Sequence, residues 1–227
     1  MSASSLRSRV RSEMSQEIKE AARARLAMDG ANLSLRAVAR DLGIVASALY
    51  RYFPSRDALL TALIVDAYRD LRDAAQQAVE AVPAHQPRGQ WLAVCCAVRA
   101  WALAHPAEYG LLYGTPVPGY AAPPETVEPA AAVLLLLARI VGESHELQAP
   151  DIEPVPEALR ADLRTLIDQR GESMSEEQLD RVLLAWTHLF GAITFEVFGR
   201  MDDLIRARDE YFQRHVLLIA DLVGLPG

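Results

Sequence analysis

Cysteines, long apolar runs and export signals are scarce or absent in this 227-residue chain. The two cysteines, Cys95 and Cys96, are adjacent, so they form no disulfide framework and are interpreted as small apolar residues of a helix. The longest apolar run, residues 130–138, ends at Arg139 and is far shorter than the roughly 20 residues that span a bilayer. The first residues lack the apolar stretch of a signal peptide. We therefore expect a cytoplasmic protein without membrane segments.

Motifs for catalysis and for cofactor binding are also missing. The chain has no glycine-rich dinucleotide fingerprint, Walker-type Gly-Lys-Ser/Thr, His-Glu-x-x-His, Cys-x-x-Cys or Gly-x-Ser-x-Gly. Its five histidines are scattered without the spacing of metal ligands. The sequence therefore offers no catalytic residues, metal ligands or cofactor site, and we predict that the protein is not an enzyme.

Composition favours helices, and the charge is unevenly distributed. Alanine supplies 37 residues against 12 glycines and 13 prolines. The net charge of -7 argues against a chain that coats nucleic acid through bulk attraction, yet residues 1–60 hold ten basic and six acidic residues, net +4. Every basic residue except Lys19 is arginine, which suits contact with phosphate or guanine but is also produced by an arginine-rich genome. The basic first quarter predicts that one end meets a polyanion.

Apolar residues recur at helical spacing along the chain, and no alternating strand pattern exceeds four residues. Glycines, prolines and capping residues separate the helices, with Ser34, Ser55 and Ser175 as predicted N-caps. We predict an all-α fold of about nine helices, in which a three-helix head with a helix-turn-helix precedes a larger helical domain. The head and its linking helix occupy residues 1–82, and the second domain occupies residues 83–227.

Residues 33–53 carry the most informative pattern. A helix that starts at Ser34 ends at Gly43, and a second short helix covers about residues 46–52 before Pro54. Two short helices joined by a glycine turn are typical of a helix-turn-helix, whose second helix enters the major groove of DNA. Because many other all-α proteins contain such a pair, the spacing alone leaves DNA binding open.

Three stretches of this region are residues 34–39 (SLRAVA), 42–44 (LGI) and 49–60 (LYRYFPSRDALL). They resemble the DNA-binding domain of the TetR family of bacterial transcriptional regulators, and the last stretch is highly specific for it. The resemblance covers about residues 13–65. It implies a three-helix DNA-binding head whose recognition helix lies at about residues 46–52.

The resemblance also implies contacts with the DNA backbone. Ser34 and Tyr50 match phosphate-contacting positions of the family. Arg56 matches the basic residue that clamps a phosphate after the recognition helix. Tyr52 matches a position close to the backbone that is usually His or Tyr.

Contacts with bases are implied in the same way. Arg36 matches a position that reaches a base edge in some members, and Ala46 and Ser47 match the base-facing start of the recognition helix. Val45 departs from the family, because many members have a capping serine there. Its side chain is instead a candidate for contact with a thymine methyl group, so the operator cannot be inferred by analogy.

The second domain carries a resemblance of its own. Residues 105–114 (HPAEYGLLYG) and 186–191 (WTHLFG) resemble a TetR C-terminal subclass named for its Trp-His-Gly signature. The resemblance implies an all-helical domain for effector binding and dimerisation. The motif does not identify the natural ligand.

The two last helices are candidates for a subunit interface. Residues 182–198 are apolar almost all the way round, so a helix there must be buried on every side. We predict a homodimer interface, a four-helix bundle, at about residues 177–198 and 203–222. A single central core helix would give the same pattern.

Aromatic residues and histidines of the second domain are candidates for an effector site, because an aromatic-lined concavity suits a small apolar or amphipathic ligand. They are Trp91, Trp101, His105, Tyr109, Tyr113, Trp186, His188 and Phe195. Ordinary core residues of a helical domain follow the same pattern, so these residues are not separated from the core by sequence.

We therefore expect a sequence-specific DNA-binding transcriptional regulator. Its specific form would be a ligand-responsive repressor whose dimer binds a near-palindromic operator in double-stranded DNA. An effector would favour a spacing of the two heads that no longer fits the DNA. The alternative is a helical small-molecule-binding protein or enzyme with a vestigial helix-turn-helix.

Overall fold

The structure is a computed structural model that describes residues 3–29, 33–144, 147, 153–170 and 174–225. Within these ranges it has ten α-helices, one short 3₁₀-helix (Pro124–Thr126) and no strand, which confirms the all-α class. The helices are α1 (Ala3–Asp29), α2 (Leu35–Asp41), α3 (Ala46–Leu49), α4 (Arg56–Glu80), α5 (Pro87–Ala104), α6 (Pro106–Tyr113), α7 (Val127–Gly142), α8 (Glu157–Arg170), α9 (Glu176–Val197) and α10 (Arg208–Leu222). Their number is one above the predicted count of about nine. None of these helices is long and apolar enough to cross a membrane.

Contacts within the chain divide it into two units. The head unit comprises Met1–Arg69 and His105–Ala130, and the C-terminal unit comprises Asp70–Ala104 and Ala131–Gly227. This division differs from the predicted one near residue 82, because α6 and the loop after it group with the head. The boundary between the DNA-reading and effector-sensing domains stays a prediction.

The core of the head unit is built from the apolar faces of α1 to α4. Its buried members include Ile18, Ala22, Leu26, Leu35, Val38, Leu49, Leu59, Leu60 and Leu63. Val117, from the loop after α6, is buried in the same cluster. The hydroxyls of Thr61 on α4 and Tyr120 in that loop are 2.9 Å apart, within hydrogen-bond distance. A loop that lies beyond the predicted boundary at residue 82 therefore completes the core of the head unit.

A tight turn orients α3 against α2. Gly43 has a φ of 67°, a left-handed conformation that glycine adopts without steric cost. The amide of Gly43 donates to the carbonyl of Arg40 (3.1 Å), and the amide of Ile44 donates to that of Ala39 (3.0 Å). These bonds satisfy carbonyls at the end of α2 and return the chain so that Leu49 is fully buried.

Two of the three predicted N-caps are confirmed. The Ser175 side chain and Gln178 form a reciprocal capping box at the start of α9. The Ser55 hydroxyl accepts from the Ala58 amide (3.0 Å) before α4. Ser34 occupies the N-cap position of α2, but its side chain makes no capping hydrogen bond, so that part of the prediction is wrong.

The C-terminal unit packs α5 and α10 against α9. Trp91 of α5 is fully buried, and its indole nitrogen donates to the carbonyl of Val216 on α10 (3.3 Å). The last helix begins at Arg208 rather than near residue 203. Gly199, with a φ of 69°, ends the preceding helical segment, and turns bonded to the carbonyl of Met201 occupy the interval.

Candidate nucleic-acid interface

The second helix of the helix-turn-helix is shorter than predicted. Helix α3 ends at Leu49, and residues 50–52 continue as a tight turn in which the Tyr52 amide donates to the Leu49 carbonyl (2.9 Å). Ser47 is exposed, Tyr50 is 45% exposed, and Ala46 and Tyr52 are partly buried against the head core. The exposed part of α3 is therefore small and polar, with a phenol ring at its end.

Val45 stands out at the start of α3. It occupies the N-cap position in an extended conformation and makes no side-chain capping bond, as its departure from the family pattern implies. Its side chain is 70% exposed. This exposed apolar side chain, next to exposed Ser47, is available for contact with a methyl group of a binding partner.

Two further predicted contact residues differ in their surroundings. Ser34 and Arg36 are exposed at the start of α2. Arg56, in contrast, donates from Nε to the carbonyl of Leu33 (3.1 Å), and its Nη1 lies 3.8 Å from the Asp57 carboxylate. Arg56 therefore ties the start of α4 to the segment before α2, a structural role that the sequence pattern did not reveal.

Part of the head's positive charge is used internally. Arg25 donates to both carboxylate oxygens of Asp41 (2.5 and 2.7 Å), and this hydrogen bonding lowers the pKa of Asp41. Lys19 and Arg23 both donate to Asp66 (2.6 and 3.1 Å). The charge that remains at the surface of the helix-turn-helix is therefore concentrated on exposed Arg36 and Arg40 of α2 and on Arg51 in the turn after α3.

One residue near this surface was missed by sequence reasoning. The Arg11 guanidinium carbon lies 5.9 Å from the centroid of the Tyr52 ring. Arg11 belongs to the first half of α1, three residues before Met14, which packs against the head core. The spacing of three residues from Met14, which places both residues on one face of α1, was the sequence signal that could have identified Arg11.

The predicted effector residues are divided between the two units. His105, Tyr109 and Tyr113 belong to the head unit, whereas Trp101, Trp186, His188 and Phe195 belong to the C-terminal unit. Trp101 is buried, Trp186 is half-buried, His105 is exposed and Phe195 is 56% exposed.

In the head unit, three phenols form a cluster. Tyr109 is fully buried, its ring lies 5.1 Å from that of Tyr113, and Tyr68 meets Tyr113 edge-on at 6.1 Å. Burial raises the pKa of the Tyr113 phenol well above its usual range. These rings behave as core residues with neutral hydroxyls.

A small recess in the C-terminal unit contains His188. It lies between α5, α9 and α10, has about 10 Å³ of space, and is lined by residues that include Trp91, Cys95, His188, Phe212 and His215. The His188 Nε2 atom is buried without a hydrogen-bond partner among the described residues. Burial, followed by the nearby His215 ring at 5.6 Å, lowers the pKa of His188. Phe212 and His215 were not predicted, although their spacing on α10 marks one helix face.

No three His, Cys, Asp or Glu side chains among the described residues are arranged to hold a metal ion. The expectation that the protein uses no metal and no cofactor stays a prediction.

Family profiles match both parts of the chain. Residues 18–63 match the bacterial regulatory proteins of the tetR family, and residues 91–219 match the tetracyclin repressor-like C-terminal domain. The second match alone covers more than half of the chain. The fold and these matches define a helix-turn-helix regulator, and the chain belongs to the TetR family of DNA-binding transcriptional regulators. The Trp-His-Gly subclass is not distinguished by these matches.

Individual relatives agree with this assignment. The chain is 38% identical over 200 residues to HTH-type transcriptional regulator Rv1816 of Mycobacterium tuberculosis (strain ATCC 25618 / H37Rv), covering 84% of this chain and 83% of the relative. The same figures hold for HTH-type transcriptional regulator Mb1846 of Mycobacterium bovis.

Solved structures show the same architecture. The regulatory protein SCO4313 is 31% identical with a TM-score of 0.78, covering 94% of this chain and 98% of its own. A protein of unknown function from Rhodococcus sp. RHA1 is 25% identical with a TM-score of 0.67, covering 92% and 95%.

Proposed function

We propose that this regulator is a ligand-responsive repressor that acts in the cytoplasm as a homodimer on a near-palindromic operator. The observation that carries the proposal is the surface at α3, where Val45, Ser47 and Tyr50 are exposed while Leu49 anchors the helix in the head core. Small side chains at the start of a recognition helix allow its backbone to approach base edges closely. Two such helices related by a dimer axis read two half-sites about one helical turn apart or slightly more.

The DNA contacts follow the sequence expectation with one refinement. Exposed Ser34 and Tyr50 are assigned to phosphates, and partly buried Tyr52 lies beside the backbone. Arg56 is also assigned to a phosphate, but its Nε bond to Leu33 leaves fewer donors for that contact.

Base reading is assigned to the exposed start of the motif. Arg36 suits a guanine edge because it is exposed and its guanidinium can donate two parallel hydrogen bonds. Val45, Ala46 and Ser47 suit apolar and hydroxyl contacts in the major groove. Their short side chains favour close approach over long reach.

A stripe on α9 supports the homodimer. Leu184, Thr187, Gly191, Phe195 and Phe198 recur three or four residues apart and are all exposed. A Cβ at Gly191 would have no heavy atom within 4 Å, so another backbone can approach there. An apolar stripe left in solvent argues against the alternative of a central core helix, and it agrees with an interface at residues 177–198 and 203–222.

The recess around His188 supports a responsive site for an apolar or amphipathic ligand. Its apolar lining and the unpartnered Nε2 atom would provide contact area and one polar handle. Its space of about 10 Å³ admits roughly one water molecule, whereas ligand pockets commonly have about 300–1,000 Å³. A ligand would therefore bind a rearranged state, and its preference for that state sets the largest possible effect on DNA affinity.

Selection from a random DNA pool tests the DNA half of the proposal. The intact chain is expected to retain near-palindromic duplexes, with an affinity that falls as salt rises. Tyr50→Ala should weaken binding about tenfold or more, since it removes one phosphate-binding phenol from each subunit of the dimer. The control is Leu166→Ala at a 43% exposed position of α8, outside the proposed interface, which should bind as the unaltered chain does. Retention of no duplex, with no salt-dependent binding to any DNA, would favour the ligand-binding or enzymatic alternative.

Sedimentation tests the dimer. The unaltered chain should sediment as a dimer at micromolar concentration, and Phe195→Glu should shift it toward the monomer because a charge would be buried in the stripe. Val127→Glu, at a position 58% exposed against 56% for Phe195 and outside the proposed interface, is the matched control. A monomer in the unaltered chain would overturn this part of the proposal.

A further inference from the structure

We propose that the first half of α1 forms a second DNA contact, in which Arg11 binds a backbone phosphate beside the position occupied by α3. This inference rests on the proposed function, since it needs the head to be docked on DNA. It adds a residue outside the helix-turn-helix and outside the matched family segment, which begins at residue 18.

The helix α1 extends well beyond the core that it serves. Ile18 is fully buried and Met14 packs against the head core, which places both on the inner face of the helix. Arg11 lies on the same face of the helix, three residues before Met14 and seven before Ile18. At 1.5 Å per residue it lies about 10 Å beyond Ile18 along the helix axis. The inner face of α1 is therefore apolar along the head core and carries the positive charge of Arg11 where that core ends.

Contact with Tyr52 locates this cationic face. The Arg11 guanidinium carbon is 5.9 Å from the Tyr52 ring centroid, and Tyr52 directly follows the turn that ends α3. Arg11 is exposed, and no described carboxylate lies within ion-pair distance of it. The ring contact leaves the planar edge of the guanidinium, with its N–H donors, open to an outside acceptor. An arginine beside the recognition helix, without an acidic partner, is suited to a phosphate.

Arg9 provides the contrast on the same helix. It donates to Glu13, one turn further along, at 2.8 Å, and its side chain is 68% exposed. Positions that are two residues apart in an α-helix differ by about 200° around its axis, so Arg9 and Arg11 face different directions. The two arginines carry the same charge at nearly the same height but differ in partner and direction.

The test compares Arg11→Gln with Arg9→Gln on a duplex that the unaltered chain has selected from a random pool. Each phosphate of one half-site is replaced in turn by an uncharged methylphosphonate, and the loss of affinity is measured. The unaltered chain and Arg9→Gln should be sensitive at the same phosphates. Arg11→Gln should bind about tenfold more weakly and become insensitive at one or two of them in each half-site. Its salt slope should also be smaller by about 0.9 for each phosphate that the variant no longer neutralises.

Further variants separate folding from DNA binding. Arg11→Lys should recover part of the affinity and the missing phosphate sensitivity, because the charge is restored. Thermal unfolding of all variants should coincide, since Arg11 is exposed and lies outside the core. Equal affinities for Arg11→Gln and Arg9→Gln, or an unchanged phosphate pattern in Arg11→Gln, would overturn the inference while leaving the proposed function intact. Failure of the unaltered chain to select any duplex would instead overturn the proposed function itself.

Discussion

The head unit and the C-terminal unit differ in what surrounds their arginines. In the head unit, Arg36, Arg40 and Arg51 are exposed, and none lies within ion-pair distance of a described carboxylate. In the described part of the C-terminal unit, ion pairs join Arg88 to Asp221, Arg99 to Glu196 and Asp209, Arg160 to Glu177, Arg164 to Glu176, and Arg208 to Asp202. The arginines around the helix-turn-helix are therefore left available, whereas these five arginines of the C-terminal unit are neutralised.

This difference shows which arginines are available to bind DNA, and the net charges alone do not. A guanidinium with no internal partner keeps its hydrogen-bond donors for an external anion, whereas a paired one holds helices together. The formal +4 of residues 1–60 includes Lys19, Arg23 and Arg25, which are paired internally. The charge available to DNA is thus smaller than the count and lies on exposed arginines of α1, of α2 and of the turn after α3.

The largest effect is expected from breaking the best-buried pair. Arg99 donates two bonds of 2.6 Å to Glu196, whose side chain is only 9% exposed, and these bonds raise the pKa of Arg99. Arg99→Ala would leave that carboxylate buried and unpaired, at a cost of about 3 kcal/mol in the free energy of unfolding. Urea denaturation measures it. Arg72→Ala, which breaks an exposed pair with Asp73, should cost less than about 0.5 kcal/mol. Similar losses in both variants would contradict the role assigned to burial.

The second effect concerns an unpaired arginine of the head. Arg36→Gln should lower affinity for the selected duplex about tenfold and relax specificity at one base pair, without changing stability measurably. Fluorescence anisotropy with the selected and single-mismatch duplexes measures both quantities. Arg164→Gln, which removes a charge that is paired with Glu176, is the control and should bind normally. A stability loss in Arg36→Gln, with unchanged affinity, would place Arg36 among the structural arginines.

One buried arginine of the C-terminal unit differs from these paired arginines. Arg181 is 6% exposed, and its Nε atom is buried with no hydrogen-bond partner among the described residues. Replacing an uncompensated buried charge by an apolar side chain of similar length should stabilise the fold, so Arg181→Met is expected to raise the free energy of unfolding by about 1 kcal/mol. Arg160→Met, which removes the partner of Glu177, should not raise it. Destabilisation by Arg181→Met would mean that this guanidinium has a partner in the working assembly.

The smallest expected effect concerns His188, where burial keeps a base uncharged. Its pKa is lowered below the usual 6.5, first by desolvation and then by His215, so the unfolded chain binds the proton more readily. The stability contribution is therefore complete above about pH 6.5 and is lost as the pH falls below that value. Lowering the pH from about 7.5 to about 5.5 should therefore reduce the free energy of unfolding. His188→Gln should weaken this pH dependence, while His85→Gln, at an exposed position, should not. An equal pH dependence in all three chains would contradict the assignment.

Helices and their ends were predictable because local residues determine them. Gly43 ends α2, Pro54 precedes α4, and Ser175 with Gln178 starts α9, each through chemistry contained within four residues. The length of α3 was overestimated because residues 50–52 keep turn bonds close to helical ones. Sequence periodicity does not distinguish a helix that continues through residues 50–52 from a turn at those residues.

Contacts between distant segments were not predictable in the same way. Val117 lies in a loop rich in proline and glycine, and no local signal indicates that it fills the head core. The bond from Arg56 to the Leu33 carbonyl likewise depends on how α4 approaches the segment before α2. The aromatic residues proposed for an effector site lie in different units. Sequence spacing predicts which face of a helix is buried, but it does not predict which segment packs against that face.

The burial of Val117 has a consequence for recombination between members of this family. A single crossover near residue 82 would join the helix-turn-helix of one parent to the α6 loop of another. The core of the resulting head would then contain side chains that were selected in different proteins, and an overpacked or underfilled position typically costs about 1–3 kcal/mol. Functional chimeras with exchanged reading heads should therefore need three junctions, so that residues 105–130 travel with residues 1–69.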